Sequence, residues 1–521
     1  MDEGPRDEDD QGVVDGQALH RRGGRPRGQP GGPDPRRLRL HEGLPRGEVL
    51  PGREALHDRG GDLGDPADGH RAPAPARLTG GGGGVNGSGA SLGLRLESRV
   101  LGNGLTVVAA PDPSLPVVGL TVLYRVGSRH EERGRAGFAH LFEHLMFEGT
   151  PNAPRGLFDR ICEGSGGQNN GQTRPDVTVY VSTAPSEALD RLLWLEADRM
   201  TDLDFREETL ATQRDVVKEE ILANVRNDPY GLFELQELPG LLFEKWESAH
   251  DAYGDFTDLD AATLHDVRAF FAAHYVPNNA VLCLAGDVDP DELFRRAEEL
   301  FGAIPSGTLP PRPDLLERRR TEAALVVREA PLAETPALAA GWRTPPRDHR
   351  DAWPLLVLGE LLHDGRAGRL HAGLVEGREL ATAVEGGMNP FQGGLWYDGT
   401  TLFLTKLSYR RGVPHEDVLS ALEDELRRVA QEGVPEPELA RARTKVVSGY
   451  LSALESRPER ALEVAQATAF DGVPDAVDAF PSRVEGVTGE DLARAATGWL
   501  RAEQRAVVVK QPPERRRRPR T

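Results

Sequence analysis

The chain has 521 residues, 28% of them charged, 38% apolar and 6% aromatic, with a formal charge of −20 at pH 7. That acidity argues against a nucleic-acid protein, whose phosphate contacts need a basic surface, and no run approaches the ~18 apolar residues of a membrane span. Two cysteines, Cys162 and Cys283, are too few for a disulfide framework or a thiolate metal site. The acidic start MDEGPRDEDD has no apolar signal segment behind it, so a reducing, cytoplasmic home is expected.

Residues 1–93 lack Phe, Tyr, Trp, Ile and Lys and end in GGGGGVNGSG. Such text cannot bury enough apolar surface to offset its ordering entropy, and reads as a disordered Gly/Pro/Arg-rich extension. It is an interaction tail, a bland extension, or coding text upstream of the true start. Ordered structure is expected from Leu94. LRLESRVLGNGLTVVAAP reads as two strands joined by Gly102-Asn103-Gly104, a hairpin signal. PVVGLTVLYRVGS is a third strand, followed by a helix near GFAHLFEHLMFEGT. Amphipathic helices follow at SEALDRLLWLEADRM and REETLATQRDVVKEEILANVR. One more helix, DLDAATLHDVRAFFAAHY, leads into the apolar strand NNAVLCLAGDVD.

Pro-rich text at 306–320 marks a linker. Beyond it the order of elements returns: a strand at PALAAGWRT, a helix at WPLLVLGELLHDG, and strands near LATAVEGG and TLFLTKLSY. Two long helices follow, EDVLSALEDELRRVAQEG and EPELARARTKVVSGYLSALES, then GEDLARAATGWL and the strand RAVVVKQ. Two copies of one domain are expected, at 94–305 and 321–511, with a solvated basic tail at 512–521. Strands and helices mix without regular βαβ alternation, which predicts an α+β architecture rather than a doubly wound sheet.

His140-Leu141-Phe142-Glu143-His144 is the string with chemistry in it. On a helix, positions i, i+3 and i+4 share a face. Both imidazoles can hold one cation while Glu143 reaches a water beside it, and neutral imidazole suits Zn²⁺. The string is an H-x-x-E-H signature.

The surrounding run YRVGSRHEERGRAGFAHLFEHLMFEGT closely resembles the pitrilysin/insulinase family of zinc peptidases, which includes the mitochondrial processing peptidases. GGQNNGQTRPDVTVYVSTAP, WLEADRM, QRDVVKEEILANVRNDPYG, the HDAYG at His250–Gly254, and YVPNNAVLCLAGDVD carry the same resemblance. It spans roughly residues 95–510 and is strongest in the first half. It implies two homologous domains, each a mainly antiparallel sheet packed by helices, the first catalytic and the second inactive. It further implies one Zn²⁺ per chain, held by His140, His144 and Glu220, with Glu143 as general base in peptide-bond hydrolysis. Glu219 is the rival third ligand, but one step along a helix turns a side chain by about 100°, so only one of the two can face the metal; the family register favours Glu220.

The resemblance also makes Asn170-Gly171-Gln172-Thr173 a sheet edge to which an extended, unfolded peptide adds as a strand. Gln213, seven residues before Glu220, stands where some relatives carry an acid, and is expected to orient a histidine or water. Self-sufficient members carry an Arg and, seven residues later, a Tyr in the second half. Here those positions fall on Val375 and Thr382, with Arg378 three positions off. A heterodimer with a paralogous zinc-less subunit supplying Arg and Tyr is therefore expected, alongside the alternative that the chain works alone or as a homodimer. The expected activity is a zinc endopeptidase acting on short or unfolded polypeptides, either in general turnover or in trimming one precursor. The competing class is a non-catalytic structural subunit of the same fold.

Overall fold

The strand text sorts into two sheets of one topology. The computed structural model describes residues 92–513 apart from 251–252 and 391–392. The expected extension before residue 92 and the basic tail after residue 513 lie outside the described residues. In the first half β1 (Glu97–Val100), β2 (Thr106–Pro111), β3 (Val117–Tyr124), β4 (Gln168–Thr173), β5 (Thr178–Pro185) and β6 (Ala280–Gly286) stand in the order β1-β2-β6-β3-β5-β4. In the second, β7 (Ala324–Glu329), β8 (Ala337–Arg343), β9 (Ala381–Met388), β10 (Leu402–Tyr409) and β11 (Ala506–Gln511) stand as β7-β11-β8-β10-β9. The order β2-β6-β3-β5-β4 is thus repeated, down to one parallel pair in each sheet, β2 with β6 and β7 with β11. All other neighbours are antiparallel. This is the α+β, two-domain architecture that the sequence predicts.

The helices of the first half are α1 (Phe138–Leu145), α2 (Leu157–Gly164), α3 (Leu189–Thr201), α4 (Glu207–Ile221), α5 (Phe233–Leu242), α6 (Trp246–Ala249), α7 (Phe256–Ala261), α8 (Leu264–His274) and α9 (Pro290–Phe301). The second half has α10 (Ala352–His363), α11 (His415–Glu432), α12 (Glu436–Glu455), α13 (Arg457–Asp471), α14 (Phe480–Glu485) and α15 (Gly489–Trp499). The single helix expected over 258–275 is two. Thr263 opens α8 with a reciprocal cap, its hydroxyl accepting from the Asp266 N–H at 3.2 Å while Asp266 Oδ2 accepts from the Thr263 N–H at 3.1 Å. Strand β7 and helices α2, α5, α6, α9, α13 and α14 go beyond what the sequence predicts. No helix among the described residues is long and apolar enough to cross a membrane.

The two halves lock by exchanging helices. On one face of the first sheet lies that half's own core, including Leu120, Val122, Tyr124, Leu141, Phe142 and Tyr180. Its other face, with Val108, Leu123, Val179, Val281 and Cys283, is covered by Ala461, Leu462, Val464 and Ala465 of α13 from the second half. In return, Phe233, Leu238 and Leu242 of α5 cover Ala337, Ala339, Leu404 and Val508 of the second sheet. Ion pairs fasten both ends of the exchange. Asp112 accepts from Arg460 at 2.9 Å and pairs with Arg457 at 3.0 Å, and Lys406 pairs with Glu234 on α5 at 2.5 Å.

Two stability tests follow from this interlock. Gly119 lets α13 touch the sheet, since a Cβ there would lie 2.4 Å from the backbone of Arg457 and Pro458. Gly119→Val is expected to destabilise by about 1–3 kcal/mol through overpacking. An unchanged melting temperature would contradict the seating of α13. The hydrogen bond from Ser114 and the guanidinium groups of Arg460 and Arg457 pull the Asp112 carboxyl down to about 2 from an ordinary 3.8. A carboxyl lowered by folding stabilises above its unfolded pKa, and that contribution fades as pH falls through the lowered value. Asp112→Asn should lower the melting temperature near neutral pH and flatten the decline between about pH 4 and 2. Parallel curves for the two proteins would count against it.

Candidate metal centre

Helix α1 is a two-faced element. Phe138, Leu141, Phe142 and Leu145 point into the first core, which leaves His140, Glu143 and His144 on the remaining surface. Helix α4 buries Leu210, Gln213, Val217 and Ile221, and packs beside α1. Glu220 flanks that buried stripe, whereas Glu219 is exposed. The side chains meet as a triangle. The Nε2 atoms of His140 and His144 are 3.3 Å apart, and Glu220 Oε2 lies 3.5 Å from the first and 3.4 Å from the second. Among the described residues this is the one cluster of three or more His, Cys, Asp or Glu side chains with the spacing for a metal ion.

The triangle has the dimensions of a tetrahedral ligand face. Ligand bonds of about 2.0–2.2 Å at the tetrahedral angle place ligand atoms roughly 3.3–3.6 Å apart. The donor set of two imidazole nitrogens and one carboxylate oxygen matches what Zn²⁺ takes in sites that keep a position open. His140 is 8% exposed, and its Nδ1 has no hydrogen-bond partner among the described residues. Hydrogen bonds from His140 and His144 hold the Glu220 carboxyl well below the usual carboxylate range. Burial alone would lower the His140 imidazole, but the hydrogen bond and charge of Glu220, with the charges of Glu143 and Glu131, carry it above its ordinary value.

Glu143 stands beside the triangle, half-buried, with no hydrogen-bond partner among the described residues. Strand β4 runs past it. A Cβ on Gly171 would come within 2.9 Å of Glu143 Cγ and 3.0 Å of Phe147, so glycine is what lets the strand lie this close. Thr173 ties the strand to α1 by donating to the Ala139 carbonyl at 3.3 Å. β4 is the outer strand of its sheet, paired only with β5 among the described residues. A cavity of about 400 Å³ opens over the cluster, walled by His140, Glu143 and Glu220 and by Gln172 and Thr173 of β4. Leu235, Pro239 and Phe243 give it an apolar side, and Asn389, Thr401 and Leu402 of the second half close it. Asn170 and Gly171 belong to the same strand but lie outside that lining.

Gln213 is buried beside the cluster on α4. Its Nε2 donates to Glu148 Oε1 at 2.7 Å, on the loop after α1, and not to an imidazole. In the second half, Val375 packs on the second core and Thr382 is exposed on β9. Arg378 is held by Asp424 at 2.9 Å. None of the three lines the cavity. Three residues that do bear on the site have no role in the sequence reading: Glu131, His250 and Tyr253, whose ring meets His140 edge-on at 5.6 Å. The HDAYG motif contains the last two, and residue type alone attaches no task to it.

Comparison with known proteins places the chain in a family. Residues 106–235 match the sequence model of the insulinase family (peptidase family M16), and residues 261–446 match that of the peptidase M16 inactive domain. The chain belongs to the insulinase family. It is 27% identical to the zinc protease PqqE of Helicobacter pylori over 426 residues, covering 80% of this chain and 93% of that protein. An uncharacterized zinc protease of Streptomyces coelicolor is also 27% identical, covering 78% of this chain and 87% of that protein. Among solved structures, a protease from Helicobacter pylori superposes with a TM-score of 0.75 at 26% identity, over 80% of this chain and all of that one. A peptidase M16 inactive domain from Pseudomonas fluorescens shares the fold, with a TM-score of 0.72 at 20% identity over 81% of this chain and 98% of that one.

Proposed function

We propose that this chain is a zinc endopeptidase that hydrolyses peptide bonds in short or unfolded polypeptides. The observation that carries this is the triangle of His140, His144 and Glu220 with the unpartnered Glu143 carboxylate beside it, facing a cavity under an open sheet edge. His140, His144 and Glu220 hold one Zn²⁺, which when bound supplies Lewis acidity to a water and to the substrate carbonyl. Glu143 accepts a proton from the attacking water as its oxygen bonds to the carbonyl carbon. The same carboxyl then delivers that proton to the amide nitrogen as the carbon–nitrogen bond breaks, giving a carboxylic acid and an amine. A complete ligand set with a free carboxylate beside it favours this over a structural subunit, which needs neither.

Gln172 and Thr173 position the substrate. An extended peptide adds to the free side of β4 through main-chain hydrogen bonds, which accept many sequences provided the peptide is unfolded. Asn170 and Gly171 extend that edge, and Gly171 keeps it against Glu143. Because Val375, Arg378 and Thr382 stay away from the cavity, the grip that an Arg and Tyr would give comes from a paralogous, zinc-less partner subunit. The free thiols Cys162 and Cys283, both buried, fit a cytoplasmic setting.

The test pairs zinc analysis with cleavage of a quenched fluorescent, unstructured peptide. The purified chain should carry one zinc, and Glu219→Gln should keep it while Glu220→Gln loses it. Glu143→Gln should retain the metal and lower kcat by about 10²–10⁴-fold, the usual worth of a general base. Adding the zinc-less paralogue should raise the rate of the wild-type chain. Full activity of the chain alone would remove the partner from the account. A zinc-loaded chain that is silent with its partner present would overturn the peptidase reading in favour of a structural role.

A further inference from the structure

Helix α1 starts without a cap of its own. Its N-cap residue is Gly137, at φ +90, and no side chain at that position satisfies the first N–H groups. Those groups are buried, and a buried amide left unpaired is costly. The partner comes from six residues upstream of the cap. Glu131 Oε1 accepts from the Ala139 N–H at 2.8 Å, and Oε2 accepts from the Gly137 N–H at 3.0 Å.

Glu131 is itself 5% exposed, so its charge needs an answer within the fold. The positive end of α1 supplies part of it, and His250 faces the same carboxylate. His250 Nδ1 lies 2.7 Å from the Trp246 carbonyl and therefore donates to it, which leaves Nε2 to face Glu131 Oε2 at 3.0 Å. The imidazole lies flat on the Trp246 ring, 3.8 Å between centroids, so its plane is fixed. The backbone that carries it is also fitted to α1. A Cβ on Gly254 would lie 2.5 Å from Gly137 Cα, and one on Gly137 would lie 2.8 Å from the Tyr253 carbonyl oxygen. His140 begins one residue after the N–H that Glu131 holds.

We propose that Glu131 and His250 form a positioning pair for the metal centre, fixing the axial position of α1 so that both imidazoles meet Glu220. This rests on the reading of His140, His144 and Glu220 as zinc ligands. A glutamine at 131 offers one acceptor oxygen to two backbone donors that each hold a carboxylate oxygen of Glu131, and turns an NH₂ group toward one of them. The start of α1 must then shift or lose a bond, and the ligand triangle loosens with it.

The experiment measures zinc affinity by chelator competition, the absorption spectrum of the cobalt-substituted protein, and the melting temperature of the metal-free protein, for wild type, Glu131→Gln, His250→Gln and the double variant. Outer-sphere supports of metal ligands are usually worth 10–100-fold in affinity. Each single variant is expected to lose about that much and to shift the cobalt spectrum, by more than any fall in its metal-free melting temperature accounts for. The double variant should lose no more than the worse single one, because both act through one contact. Wild-type zinc affinity and an unshifted spectrum in both single variants would overturn the inference and leave the metal centre standing. So would an affinity loss matched by an equal loss of metal-free stability. A wild-type chain that takes up no zinc would overturn the metal centre and the inference together. Should Glu131→Gln fail to fold, His250→Gln, which keeps the buried carboxylate and its two backbone donors, decides the question by the same readouts.

Discussion

Each half of this molecule uses a helix of the other to finish its own sheet. α13 seals the outer face of the first sheet and α5 seals that of the second, so neither half buries its apolar surface alone. This reciprocity also builds the cavity. α5 leaves the first half to reach the second sheet, and in passing it lays Leu235 and Pro239 along one side of the space above the metal cluster. Arg129 pins the arrangement from within. It pairs with the buried Asp176 at 3.2 Å and donates to the carbonyls of Asp398 and Thr400 in the second half at 3.1 and 3.0 Å. The chemistry belongs to the first half, but its walls belong to both.

The repeated topology shows what separates the two copies. α10 packs on the edge strand β9 as α1 packs on β4. On α1 the polar face carries two imidazoles that converge on a carboxylate. On α10 the one histidine, His363, is occupied by its neighbours, with Nδ1 2.9 Å from the Gly359 carbonyl and Nε2 3.0 Å from the Thr405 hydroxyl. A domain that keeps its layers while its ligands are replaced can still serve as scaffold and wall, because packing follows the apolar pattern and not the few polar positions.

Periodicity made most of this legible. The hairpin at Gly102–Gly104, the amphipathic helices and the ligand helix follow from pattern and turn chemistry, and family resemblance chose Glu220 over Glu219. Two of the elements that escaped carry no clear periodic pattern. α13 buries residues from Ala461 through Ala469 almost without interruption because a sheet covers one side and other helices the rest, so no polar stripe marks it. α5 contains Pro239 and exposes Gly240 within its span. The capping box at Thr263 and Asp266 was readable, yet an apolar rhythm running through Ala261 and Ala262 hid the break. Glu131 is the clearest limit. Its partners are Gly137, Ala139 and His250, and the last is 119 residues away. No spacing rule announces such a contact.

The central claim is that His140, His144 and Glu220 converge as one zinc site on this fold. X-ray absorption at the zinc K-edge on the purified chain tests it most directly. One zinc is expected, with two imidazole nitrogens and carboxylate oxygen at about 2.0–2.2 Å, and loss of the carboxylate shell in Glu220→Gln. A sulfur shell, or a spectrum unchanged by Glu220→Gln, would contradict it.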